Sequence, residues 1–176
     1  MFQLSKLSSK LSIKEEGPRN FAGPFFLYPH LVKIATAEQM RALGESIGKE
    51  CRSGDLILLN GPLGAGKTVL VQGIGSALGI SDVTSPTFVI ARIHKAPLPL
   101  IHVDAYRLLE GGNAAAFLDD LDLDSPRESA VTVIEWGGAE STRLSEERLE
   151  ITIDRTEEVR EVSINPVGRR WQGFSL

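Results

Sequence analysis

Cysteine is almost missing from this sequence: Cys51 is the single one among 176 residues. One thiol can form neither an internal disulfide nor a cysteine-based zinc cluster. Its helical spacing from Met40, Leu43 and Ile47 marks it as a core position, and such usage suits a reducing cytoplasm. Long apolar runs are missing too, so no segment reads as a membrane-spanning helix. Nor is positive charge in excess: 19 Lys and Arg face 23 Asp and Glu, for a net charge of −4. Autonomous nucleic-acid binding depends on basic side chains that neutralise phosphates. Any RNA the protein serves is therefore expected to be held by a partner.

What is present is ordinary for a globular domain, 42% hydrophobic and 24% charged, at a length that buries a substantial core. Residues 1–30 differ from the rest. Their start is rich in Ser, Lys and Leu, and Gly17-Pro18 and Gly23-Pro24 then break regular structure. They are expected to be a flexible extension, leaving 31–176 as one domain. No internal repeat is visible.

The most informative stretch is Gly61-Pro62-Leu63-Gly64-Ala65-Gly66-Lys67-Thr68. It fits the phosphate-binding pattern G-x-x-x-x-G-K-[ST], which requires a strand before it and a helix after it. The apolar run Leu56-Ile57-Leu58-Leu59 supplies the first and a helical pattern from Thr68 the second. Free N–H groups and the positive dipole end of that helix would then face an anion. Gly61, Gly64 and Gly66 allow the loop to curl its amides around a phosphate. Lys67 is expected to reach the β- and γ-phosphates of a nucleoside triphosphate, and the Thr68 hydroxyl to take a Mg²⁺ position. The nucleotide-binding set expected here is Gly61, Leu63, Gly64, Ala65, Gly66, Lys67, Thr68 and Val69.

Around this loop the pattern alternates between helix and strand. Thr36-Ala37-Glu38-Gln39 has the form of a capping box, and Met40, Leu43, Ile47 and Cys51 continue on one helical face towards a stop at Gly54. The helix after the loop points Leu70, Val71, Ile74, Ala77 and Leu78 inward and ends near Gly79. Gly73 and Gly75 weaken it locally, so packing must hold it. Segments 88–93 and 100–103 predict an antiparallel hairpin. The β-branched run Ala130-Val131-Thr132-Val133-Ile134 predicts a strand covered on both faces. Segments 149–153 and 159–164 predict a terminal antiparallel pair. The fold class is α/β, a single P-loop domain with a mixed parallel and antiparallel sheet flanked by helices.

Hydrolysis needs more than a phosphate loop: a carboxylate to organise metal and a group to position water. Glu135 follows the most apolar strand and Asp104 follows Leu100-Ile101-His102-Val103, so both stand at strand ends where acidic side chains emerge beside such a loop. Ser85-Pro86-Thr87 offers two hydroxyls on a proline-restricted segment, suited to ordering when a γ-phosphate is present.

Taken together, Gly61–Thr68, Ser85-Pro86-Thr87-Phe88, His102-Val103-Asp104-Ala105-Tyr106-Arg107-Leu108 and Glu135-Trp136 resemble, in order and spacing, the TsaE (YjeE) family. These are small bacterial P-loop ATPases of threonylcarbamoyladenosine biosynthesis. The resemblance runs from about residue 35 to about residue 153. It implies that ATP and Mg²⁺ are held by Lys67 and Thr68, that Ser85-Pro86-Thr87 is a switch loop, and that Asp104 and Glu135 organise metal or water. It places Trp136 beside the site or at a partner surface. It also implies service to the TsaD–TsaB pair, which places a threonylcarbamoyl group on the tRNA adenosine next to the anticodon, with hydrolysis resetting the complex. Between residues 111 and 124 the sequence GGNAAAFLDDLDLD departs from the Glu-rich helix usual there. His94 replaces a common tyrosine and is expected at the surface. A small-molecule kinase is one alternative, although no arginine-rich lid is evident. A nucleotide-gated binding module with negligible turnover is another.

Overall fold

The computed structural model describes residues 12–14, 30–86, 90–106, 127–137 and 141–176. Eight strands form one sheet: β1 (Ser12–Lys14), β2 (His30–Ile34), β3 (Leu56–Asn60), β4 (Ala91–His94), β5 (Leu100–Asp104), β6 (Val131–Glu135), β7 (Arg148–Asp154) and β8 (Arg160–Val167). Their spatial order is β1-β2-β8-β7-β3-β6-β5-β4. The middle of the sheet, β7-β3-β6-β5, is parallel. Antiparallel pairs flank it on both sides. The mixed α/β sheet is thus the one expected, with two additions before the capping box: β2, and β1 paired to it.

Burial explains the two kinds of strand text. Every residue of β5 and β6 is buried, as a parallel strand covered on both faces requires. In β7 buried and accessible positions alternate, the mark of a strand with one wet face. One face of the sheet carries the main core, where Ile57, Leu59, Leu100, Val133, Leu149, Ile151, Val162 and Ile164 pack with apolar side chains of two helices. The opposite face gathers Leu56, Leu58, Ile101, Val103 and Ile134.

Among the described residues the two long helices are α1 (Ala37–Glu50) and α2 (Lys67–Ala77). Thr36 caps α1 through the expected box, its hydroxyl accepting from Gln39 N while the Gln39 side chain accepts from Thr36 N. The helix closes at Glu50 with Cys51 as cap, and Gly54 instead turns the chain towards β3 at φ 84°. Burial, then the charge of Asp55, raises the Cys51 thiol pKa to about 12, so the thiol is inert. The glycines that weaken α2 have a packing reason. A Cβ on Gly73 would stand 2.1 Å from Arg41 O, and one on Gly44 would stand 2.1 Å from Leu70 O. The two helices therefore meet backbone to backbone.

A clasp after β8 closes the base of the core. Arg170 donates from Nε to Asp55 Oδ1 at 2.8 Å and from Nη2 to Asp55 Oδ2 at 2.6 Å, while Arg52 N donates to the same carboxylate. Trp171 beside it is 1% exposed, and the Arg170 guanidinium lies 4.2 Å from its ring. Arg170→Ala leaves Asp55 buried beside a single amide. The expected loss is about 2 kcal/mol, below the ~3–5 kcal/mol typical of a fully buried pair because Arg170 is partly solvated. Urea denaturation checks it, and an unchanged midpoint would make the clasp energetically idle. Among the described residues no helix is long and apolar enough to cross a membrane.

Candidate functional site

The carboxyl ends of β3, β5 and β6 lie side by side, the place where open α/β sheets bind ligands. β3 ends at Asn60 and the glycine loop follows at once. Gly61, Gly64 and Gly66 take φ values of 148°, 73° and 106°, in a region that L side chains rarely enter. Gly66 is the N-cap of α2, with no side-chain cap, so Lys67 and Thr68 open the helix. Two arginines, one just after β7 and one opening β8, brace the outside of the loop: Arg155 Nη1 donates to Leu63 O at 3.3 Å and Arg160 Nε to Ala65 O at 3.0 Å. Leu63 is left 86% exposed at the tip, whereas Ala65 is buried beneath it.

Lys67 folds back on its own loop. Its Nζ donates to Gly61 O at 2.9 Å and to Pro62 O at 3.1 Å, and it lies 3.7 Å from the centroid of the Trp136 ring. Burial pushes its pKa down, and the carboxylates of Glu135 and Asp104 act in the opposite direction. Trp136 has φ 62°, uncommon for a bulky residue and costly. That bend takes the chain off β6 directly after Glu135, leaving Trp136 N bonded to Leu59 O at 2.9 Å. Tyr106 packs against the indole with ring centroids 5.1 Å apart.

The two strand-end acids are register partners: Asp104 stands opposite Glu135 in the parallel β5–β6 pair. Both are buried, at 6% and 3% exposure. Thr68 Oγ1 donates to Glu135 Oε1 at 3.2 Å, joining the phosphate loop to the end of β6. Asp104 Oδ1 accepts from Tyr106 N at 3.1 Å. The hydroxyl and the carboxylates are hard oxygen donors, which fit Mg²⁺ held jointly with phosphates. Among the described residues no group of three His, Cys, Asp or Glu side chains forms a metal cage of its own.

Lys67, Thr68, Asp104, Glu135 and Trp136 are thus brought together, and Val69 follows them on the first turn of α2, partly buried against the main core. Thr87 lies outside the described residues, as do Phe88, Arg107, Leu108 and the divergent stretch 111–124. The segment just before Thr87 is tied to its surroundings through Arg92 Nη1 to Thr84 Oγ1 at 2.8 Å. Just after it, Ile90 O accepts from Asp104 N at 2.8 Å. One expectation fails: His94 is buried, not at the surface, because it ends β4 opposite Leu100 on the covered side of the sheet. Burial first, then the neighbouring His102 and Arg92, lower its pKa.

Three contributors carried no site role in the sequence reading: Arg155, Arg160 and His102. The arginines have no local signal. His102 has one, since it stands two residues before Asp104 and so faces the same side of β5. Its Nε2 lies 2.9 Å from Glu135 Oε1.

Residues 34–162 match the family described as threonylcarbamoyl adenosine biosynthesis protein TsaE. The chain is similar to the tRNA threonylcarbamoyladenosine biosynthesis protein TsaE of Streptomyces coelicolor, with 48% identity over 141 residues, 75% of this chain and 93% of that one. It is likewise similar to the protein of that name from Bacillus subtilis, 34% identical over 144 residues, 80% of this chain and 87% of that one. The crystal structure of Bacillus subtilis YdiB superposes with a TM-score of 0.70 at 28% identity, covering 85% of this chain and 93% of that chain. The chain belongs to the TsaE family, whose role is in tRNA threonylcarbamoyladenosine biosynthesis.

Proposed function

We propose that the protein binds ATP with Mg²⁺ and hydrolyses it in the service of the TsaD–TsaB pair, which carries out threonylcarbamoyl transfer to the tRNA adenosine beside the anticodon. The single observation that carries this reading is the 3.2 Å bond between Thr68 and Glu135. It joins the first turn of a phosphate-loop helix to a buried strand-end acid, the pairing that phosphoryl chemistry uses. In this reading the loop amides from Gly61 to Val69, including those of Leu63, Gly64, Ala65 and Gly66, wrap the phosphates. Lys67 leaves its carbonyl partners to meet the β- and γ-oxygens, and Trp136 borders the pocket.

Thr68, Glu135 and Asp104 would hold Mg²⁺, which supplies charge neutralisation to the transferring phosphoryl group. Glu135 and Asp104 orient the attacking water, and Thr87 contacts the γ-phosphate as part of the switch loop. The tRNA reaches this protein through its partners, in keeping with a net charge of −4. A cytoplasmic setting belongs to the same reading.

Reconstitution of the tRNA modification with TsaD and TsaB, omitting and restoring this protein, is the direct test; transfer that continues unchanged without it would refute the role. Glu135→Ala is expected to lower Mg²⁺-dependent turnover about a hundredfold, as loss of one strong electrostatic contact does. Nucleotide affinity should change far less, because the loop amides remain. Single-turnover hydrolysis and calorimetry on the same variant separate the two, and normal turnover would make the acid structural.

A further inference from the structure

His102 is fully buried, and nothing in the chemistry derived so far uses it. In the β5–β6 register it stands opposite Val133, one pleat behind the Asp104–Glu135 pair. Residues two apart on a strand share a face, so His102, Asp104 and Glu135 all project to the same side. The Glu135 carboxyl turns back along the strands to meet the ring. Its Oε1 is 2.9 Å from His102 Nε2 and 3.2 Å from Thr68 Oγ1, and neither contact uses Oε2. The other ring nitrogen, Nδ1, is buried and finds no hydrogen-bond partner among the described residues. A buried acceptor left alone is tolerated more readily than a buried N–H left alone. This assigns the hydrogen to Nε2, where it donates to the carboxylate.

We infer that His102 is a positioning residue for Glu135. A glutamate side chain has three rotatable bonds and, alone at a strand end, samples many carboxylate orientations. Two donors converging on Oε1, one from β5 and one from α2, hold it in a single orientation and reserve Oε2 for the metal's water shell or the attacking water. Outer partners that fix a ligating or reacting carboxylate commonly matter 10–100-fold for metal affinity or activity. This inference rests on the proposed ATPase reading and adds a residue to it.

The test compares His102→Leu, which keeps bulk and removes the donor, with His102→Gln, whose amide nitrogen reaches the position of Nε2. His102→Leu should lower kcat roughly tenfold or more while KM for ATP stays within about threefold. Mn²⁺ affinity in the presence of a non-hydrolysable ATP analogue, read by electron paramagnetic resonance, should fall about tenfold in the same variant. His102→Gln should recover most of both losses. In a Glu135→Ala background, His102→Leu should add almost nothing, because the group it positions has gone. If the leucine variant does not fold, the pair His102→Gln and His102→Asn carries the comparison, since the asparagine amide falls short of Oε1.

Leucine and wild type with equal kcat and equal Mn²⁺ affinity would overturn the assignment. So would a glutamine variant as impaired as leucine and equally destabilised to heat, which would make His102 a packing residue. A wild-type protein that binds no Mn²⁺·nucleotide at all would overturn the ATPase reading itself, and this inference with it.

Discussion

Gly73→Ala is expected to destabilise the fold by about 3 kcal/mol, against the usual sign for a helical glycine. In an exposed helix the change would stabilise by ~1 kcal/mol. Here the new methyl would meet Arg41 O at 2.1 Å and Gly44 Cα at 2.9 Å, both backbone atoms of α1. No side chain can rotate away, so the helices must separate, and overpacking of this kind costs ~1–3 kcal/mol or more. Steric cost exceeds propensity gain. Gly44→Ala makes the reciprocal clash with Leu70 O, and the double variant should lose much less than the two single losses added, because one separation relieves both. Urea midpoints of the three variants decide it; a more stable Gly73→Ala would mean that α1 and α2 do not cross this closely.

Lys67→Ala should separate binding from stability. Each charge-assisted bond to a phosphate contributes ~1.5–3 kcal/mol, and in the proposed reading Lys67 makes two. Loss of about a thousandfold in ATP affinity, ~4 kcal/mol, is therefore expected in calorimetry with Mg²⁺. Stability without nucleotide should not fall. Burial lowers the Lys67 pKa in the folded protein, so the folded state binds this proton less well than the unfolded chain does. The charged form thus opposes folding at neutral pH, an effect relieved only as pH rises through the lowered folded value. Removing the side chain removes that opposition, and the two loop carbonyls it leaves are open to water. The same depression predicts that ATP binding by the wild type weakens at a lower alkaline pH than an ordinary lysine would allow. Near-normal affinity in Lys67→Ala would refute the phosphate-loop reading.

Features carried by adjacent residues were legible in the sequence. The capping box at Thr36 needs only four consecutive positions, and the loop from Gly61 to Thr68 needs eight, so local chemistry specifies both. The buried run of β6 was legible for the same reason. β2 was not, because HLVKI is short and follows a Pro/Gly-broken stretch; its place depends on pairing with β8, far along the chain. The helix-weakening effect of Gly73 was legible, but its partner Gly44 was not, since no local pattern reports a crossing. The strand-end positions of the acids at 104 and 135 were legible from the apolar runs before them, and the register sets the two side by side. His102, Arg155 and Arg160 act through bonds to residues 33, 92 and 95 positions away, and such contacts exist only once the sheet is assembled. The surface expectation for His94 failed for a related reason: hairpin residues are exposed only on the uncovered face.

The Asp104–Glu135 pairing also governs where this chain can change length. Because side chains alternate along a strand, one residue inserted into β5 or β6 before its acid turns that acid to the opposite face of the sheet. There is no intermediate position, and the phosphate-loop hydroxyl cannot follow. Insertions in the β4–β5 connection, residues 95–99, meet no such constraint, since that connection lies outside both acid-bearing strands. Drift in length should therefore collect there, while the strands that deliver the two acids keep their count.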